Sequence, residues 1–229
     1  MDHSQNGSAG AGTEVFLLTV RGTPNAETVG AARDLHNATA GAPQSVAVAR
    51  ALGDLSHNVF VPTDPSDSRL LFIDTWNNPA GVGQFFSNPQ VAESAGKLFK
   101  DRDATLWTQA VGFGSYSLPA PSGRSVAGVG CLRADVTSLD AARSAFQADA
   151  AAHISQGRLA GLVGHQVWVP APVPGVETAV EVLGVDYWLD VDQMVAFYKD
   201  TYASQLGPVF TGAPDTATWK SAGGDWIEW

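Results

Sequence analysis

Two tryptophan pairs, Trp76 with Trp188 and Trp107 with Trp219, stand 112 residues apart in this 229-residue chain. Tryptophan is rare, so two pairs at one offset point to an internal repeat. The same offset carries Asp74 onto Asp186, Phe85-Phe86 onto Phe197-Tyr198, Asp103 onto Asp215, Gly112 onto Gly224 and Arg21 onto Arg133. Between Arg21 and Asp74 the offset falls to 108, so that His57-Asn58-Val59-Phe60-Val61-Pro62 lies on His165-Gln166-Val167-Trp168-Val169-Pro170. A unit repeated at this period is one structural module, and it gains stability by stacking on its copy. The boundaries read as a flexible tail over 1–13, a first repeat over 14–118, a Pro/Ser/Gly linker over 119–125 and a second repeat over 126–229.

Within each repeat the hydrophobic pattern switches between strand and helix periods. Glu14 to Val20 reads as a strand. Thr23-Pro24 reads as a helix start, with Pro at the first helical position, and Gly41-Ala42-Pro43 as its end. Val46 to Leu52 reads as a further helical turn. Strands follow at His57 to Pro62 and Leu70 to Trp76, joined by the turn-forming Asp64-Pro65-Ser66-Asp67. A helical region from Pro79 is punctuated by Asn88-Pro89, and Thr105 to Tyr116 closes the unit as a strand. The second copy reads alike: a strand from Val126 to Ala134, a capping-box start at Thr137-Ser138-Leu139-Asp140, strands Gly164 to Pro170 and Thr178 to Tyr187, a helix from Val191, and a last strand ending at Trp226-Ile227-Glu228-Trp229. The order β-α-β-β-α-β is ferredoxin-like and leaves one sheet face bare. The expected fold is therefore α+β: two fused ferredoxin-like repeats whose bare sheets close on each other as an intramolecular α/β barrel.

Composition narrows the partners. The chain is 45% hydrophobic and 16% charged with a net charge of −10, which suits a globular protein and disfavours nucleic acid. No apolar run is long enough to span a membrane. Cys131 is the single cysteine, so no intrachain disulfide forms, which fits a cytoplasmic location. The expected partner is a small hydrophobic or aromatic ligand, and a homo-oligomer is compatible with the sequence.

The segment Asp74-Thr75-Trp76-Asn77-Asn78-Pro79 with Phe85-Phe86-Ser87-Asn88-Pro89-Gln90-Val91 resembles the antibiotic biosynthesis monooxygenase domain of the dimeric α/β-barrel superfamily. The resemblance spans about residues 14 to 116 and recurs more weakly over 126 to 229. It implies a barrel and a small-molecule enzyme, with a cofactor-independent monooxygenase acting on an aromatic or polycyclic substrate as the leading function. A lyase or isomerase using a histidine base is one alternative. A non-catalytic binder of a hydrophobic metabolite or haem is the other. Some members carry a histidine on the second helix; Phe85 and Phe197 stand near that position here, so no role is expected for a histidine there.

The candidate catalytic residues are His165, His57, Asp186 and Asp74. An imidazole can take and return a proton near neutrality, and the matched positions provide one in each copy. A carboxylate beside an aromatic ring can serve as a base. Each of these has a plainer reading as a strand-end or helix cap. Trp76, Trp188, Tyr187, Tyr198, Trp168 and Phe60 are the candidate substrate-binding residues, as flat walls and hydrogen-bond donors. Trp107 and Trp219 read as core where the two sheets meet. His36 reads as the edge of an apolar helix stripe. Tyr187, Tyr198 and Tyr202 make the second copy's cavity the more polar one. No spacing suits a metal site, so no cofactor is expected, with haem kept as the exception.

Overall fold

Strand register does most of the work in this fold. The computed structural model describes residues 14–172, 180–201 and 205–229. The first half runs β1 (Phe16–Pro24), α1 (Val29–Ala38), α2 (Pro43–Leu52), β2 (Asp54–Pro62), β3 (Leu70–Trp76), α3 (Pro79–Ser87), α4 (Pro89–Leu98) and β4 (Phe99–Gln109), with a short β5 (Tyr116–Ser117). The second half runs β6 (Gly128–Asp135), α5 (Leu139–Leu159), β7 (Leu162–Pro170), β8 (Glu181–Trp188), α6 (Val191–Ala196), a π-helical turn (Phe197–Thr201) and β9 (Asp215–Ser221).

The strands hydrogen-bond in the order β4-β1-β3-β2-β9-β6-β8-β7, and β4 pairs with β7 to close an eight-stranded antiparallel barrel. The two seams are equivalent. Pro62 faces Trp219 across β2–β9, and Pro170 faces Trp107 across β7–β4. A pair of cross-half ion pairs follows the same relation: Arg21 binds Asp215, and Arg133 binds Asp103. Closure pairs the two outer strands, β4 and β7, with each other, which reduces the exposed strand edge.

Alternation along each strand decides what faces where. Leu71 and Ile73 of β3, Leu183 and Val185 of β8, and the indoles of Trp107, Trp168 and Trp219 fill the barrel interior. Trp107 and Trp219 are at most 1% exposed, as expected for tryptophans at the meeting of the two sheets. Residues of the opposite parity point outward beneath the helices. There Phe72 and Trp76 pack under α1 to α4, while Trp188 and Met194 pack in the second half.

Several sequence boundaries are corrected. Thr23 and Pro24 belong to β1, and α1 begins later, capped by the Thr28 hydroxyl, which accepts from Ala31 N–H. The turn at Val46 to Leu52 is part of a full helix entered through Pro43. Thr105 to Tyr116 is not one strand: β4 starts at Phe99 and stops at Gln109, and β5 follows. The strand expected from Thr178 is observed as Glu181–Trp188, with residues 178 and 179 outside the described residues, as are 1–13 and Tyr202. Trp226 to Trp229 do not end β9. They cross to the first half, where Trp229 exchanges backbone hydrogen bonds with His57 and Glu228 Oε1 accepts from Val59 N–H. Main-chain pairing to β2 outweighs continuation of β9 because it satisfies backbone groups that β9 cannot reach.

Candidate active site

Each half holds a histidine–aspartate pair made by cross-strand register. His57 of β2 lies directly opposite Asp74 of β3, and His165 of β7 lies directly opposite Asp186 of β8. Directly opposed residues share a face within side-chain reach. In both halves Nδ1 of the imidazole meets Oδ1 of the carboxylate at 2.7 Å. The pairs face outward from the barrel, into the space between sheet and helices.

The second-half pair opens on a cavity of about 390 Å³ whose lining includes His165, Asp186, Tyr198, Phe146, His153 and Cys131. Nδ1–H of His165 donates to Asp186, and in the neutral ring Nε2 then holds the lone pair. That Nε2 is buried and has no protein partner. Burial lowers the proton affinity of His165, but the hydrogen bond and charge of Asp186, helped by Asp149, outweigh it and raise its pKa. The Asp186 Oδ2 accepts from the Tyr198 hydroxyl at 2.5 Å, and that hydroxyl accepts from Trp188 Nε1 at 3.4 Å. Tyr116, carried by β5 from the first half, lies across from His165, with ring centroids 6.4 Å apart.

The first-half pair is built differently. Its cavity is about 80 Å³. His36 of α1 is fully buried, and its Nε2 lies 3.0 Å from Nε2 of His57. Trp229 stacks on His57 at 4.6 Å between ring centroids. The hydrogen bonds assign the protons. Asn37 donates Nδ2–H to the Asp225 carbonyl at 2.7 Å and accepts from Ile227 N–H at 3.0 Å. Its Oδ1 therefore accepts from His36 Nδ1, at 2.9 Å. Burial pushes the pKa of His36 down to about 4, so its ring is neutral and its Nε2 can only accept. His57 must then donate from both nitrogens and is an imidazolium paired with Asp74. The same direction follows from its surroundings: burial lowers its pKa, but Asp74, with Asp54 and Glu228, outweighs burial and raises it. Asp54, close by, accepts from Trp229 Nε1 at 3.1 Å, and burial raises its pKa to about 7.

The structure thus brings together His165, Asp186, Tyr198 and Trp188 in the second half, and His57, Asp74 and Trp76 in the first. Phe60, Trp168 and Tyr187 point into the barrel interior and line neither cavity. Sequence reasoning missed His36, Asp54, Tyr116 and Trp229, because their roles depend on contacts between distant segments. His36 carried a faint signal as a histidine on the buried edge of a helix. Among the described residues, no three His, Cys, Asp or Glu side chains cluster as a metal site. No helix among them is long and apolar enough to cross a membrane.

No known family model matches this chain, and no curated protein matches it. Solved structures do. An anthrone oxidase-like protein superposes with a TM-score of 0.65 at 14% identity, covering 93% of each chain. A candidate monooxygenase from Fusobacterium nucleatum subsp. nucleatum gives 0.57 at 9% identity over 95% of this chain and 98% of its own. A variant chlorite dismutase from Candidatus Nitrospira defluvii gives 0.55 at 8% identity over 91% of both chains. The chain therefore shares the dimeric α/β-barrel fold of these structures, closed within one polypeptide.

Proposed function

We propose that the second-half cavity is the active site of a monooxygenase-type enzyme that oxidises a hydroxylated aromatic or polycyclic compound with His165 as the base and no bound cofactor. One observation carries this reading: His165, hydrogen-bonded through Nδ1 to Asp186, lines a largely apolar cavity, and its buried Nε2 has no protein partner. His165 Nε2 takes a proton from an activated methylene of the substrate. The electron-rich anion reduces dioxygen, a C–O bond forms, and the hydroperoxide loses water. A methylene and one dioxygen become a carbonyl and one water, so electrons and atoms balance. The apolar wall excludes water and holds the substrate beside the base. Asp186 holds the imidazole in the required tautomer.

The same reading takes 14–118 and 126–229 as copies of one ancestral unit joined by 119–125, in a cytoplasmic protein able to self-associate. Haem fits the cavity poorly. His165 Nε2 offers a ligand nitrogen, but the described lining supplies Asp149 and Asp186 and no Lys or Arg, whereas porphyrin carboxylates need cations.

The test is oxygen uptake with a panel of anthrones, quinols and phenols. His165→Ala should lower kcat/KM about 10²–10⁴-fold, as loss of a general base does, while ligand-induced thermal stabilisation persists. Uptake unchanged in His165→Ala overturns the base assignment. Turnover without oxygen uptake would instead favour a lyase or isomerase, and binding without turnover a carrier. Stabilisation by hemin alone would favour haem.

A further inference from the structure

We infer that Tyr198 and Gly130 act as one positioning unit that sets the basicity of the His165–Asp186 pair, a unit that the first half lacks. The inference rests on the reading of His165 as a base.

The unit is built by register. Gly130 of β6 lies directly opposite Asp186 of β8. The ring of Tyr198 lies over this glycine: a Cβ there would sit 2.5 Å from the Tyr198 hydroxyl oxygen and 2.6 Å from Cε2. Only the absence of a side chain at 130 lets the phenol reach Asp186. Tyr198 itself is delivered by the π-helical turn Phe197–Thr201; such turns displace a side chain from the α-helical register. The Tyr198 hydroxyl donates to Asp186 Oδ2, the oxygen remote from His165, while Trp188 Nε1 donates to the hydroxyl. The chain of contacts therefore runs from Trp188 through Tyr198 and Asp186 to His165, and ends at the cavity.

The first half supplies the comparison inside the same molecule. The repeat offset places Leu18 where Gly130 stands and Phe86 where Tyr198 stands. Leu18 faces Asp74 in the same register and is buried. Phe86 has no hydroxyl, and the buried Trp76 Nε1 has no partner there. Leucine fills the space that the tyrosine edge needs, so the two differences go together.

A donor on Asp186 stabilises the carboxylate and draws off part of the charge that holds the imidazolium. His165 then binds its proton less tightly and can return it, which suits a base that must turn over. The other titratable groups around His165 come from α5 (Asp149 and His153), β6 (Cys131) and β5 (Tyr116); Arg158 of α5 lies over the Tyr116 ring.

The test is an NMR titration of His165 in the substrate-free protein and in the Tyr198→Phe and Gly130→Ala variants, with His57 as internal reference. Gly130 does not have a positive φ, so alanine is compatible with its backbone. Each variant should move the His165 midpoint up by about 0.5–1 pH unit, a typical effect of losing one hydrogen bond to a charged partner. The double variant should add nothing to Tyr198→Phe. The acid limb of the kcat/KM profile should move the same way. An unmoved midpoint in Tyr198→Phe, or a loss of melting temperature with no shift in either variant, overturns the inference. The titration needs no substrate, so a protein that consumes no oxygen would sink the proposed function and leave this result readable.

Discussion

Asp74→Asn is the sharpest probe of the buried charge in the first half. The side chains of His57 and Asp74 are 5% and 11% exposed, so solvent screens their attraction little. Removing one partner of a buried pair costs about 3–5 kcal/mol. Asparagine keeps an oxygen facing Nδ1, which retains a hydrogen bond and places the loss near the lower end, about 3 kcal/mol. For a chain of this size that is a fall in Tm of roughly 6–12 °C. The sign with pH follows from linkage. The pKa of His57 is raised in the folded state above roughly 6.5 for free imidazole. Its contribution is therefore fully present below the unfolded value and is lost as pH rises through the folded one. Urea unfolding of wild type and Asp74→Asn at pH 6 and pH 9 measures this. The penalty should be larger at pH 6. A penalty equal at both, or larger at pH 9, would refute the assignment of an imidazolium to His57.

Asp54 titrates near 7 because burial disfavours its charge, with Asp74 adding to the effect; a raised folded pKa means stability is lost as pH climbs from the unfolded value through 7. Asp54→Asn should therefore gain stability over wild type between pH 4 and 8, by about 2–4 kcal/mol at the upper end, read from urea midpoints. Trp219→Ala empties a fully buried site in the barrel interior and should cost about 3–5 kcal/mol, with Trp107→Ala at the equivalent seam costing about as much. Gly81→Ala places a Cβ 1.9 Å from the Leu52 carbonyl oxygen, whereas Gly83, in the same helix, has nothing within 4 Å. Gly81→Ala should destabilise by over ~1 kcal/mol and Gly83→Ala should stabilise by about 0.5–1 kcal/mol; thermal melts showing the same sign for both would refute the packing of α3 on α2.

The element types and their order were legible in the residues themselves. Strand alternation in Leu70 to Trp76, the Pro and Asn punctuation at Pro79 and Asn88-Pro89, and the matched offsets are local signals, and local signals survive without knowledge of the fold. Thr23-Pro24 reads as a helix start, but Pro also suits a strand end, and pairing with β4 decides between the two. Trp226 to Trp229 carried no local mark of their destination; a short apolar run pairs wherever an open backbone edge receives it.

The candidate site divides along the same line. Sequence alone marked His57 and His165, and Asp74 and Asp186, as matched positions, because the two halves of the chain match at offsets of 108 and 112 residues. It also marked Tyr198 as the hydroxyl that Phe86 lacks. That each histidine faces its aspartate across a ladder depends on register between separate strands. That one imidazole nitrogen is capped while its counterpart has no partner depends on His36, Asn37 and Trp229, which lie far from His57 in the chain. Proton affinity and cavity volume are properties of what surrounds a group, and only the folded chain assembles those surroundings.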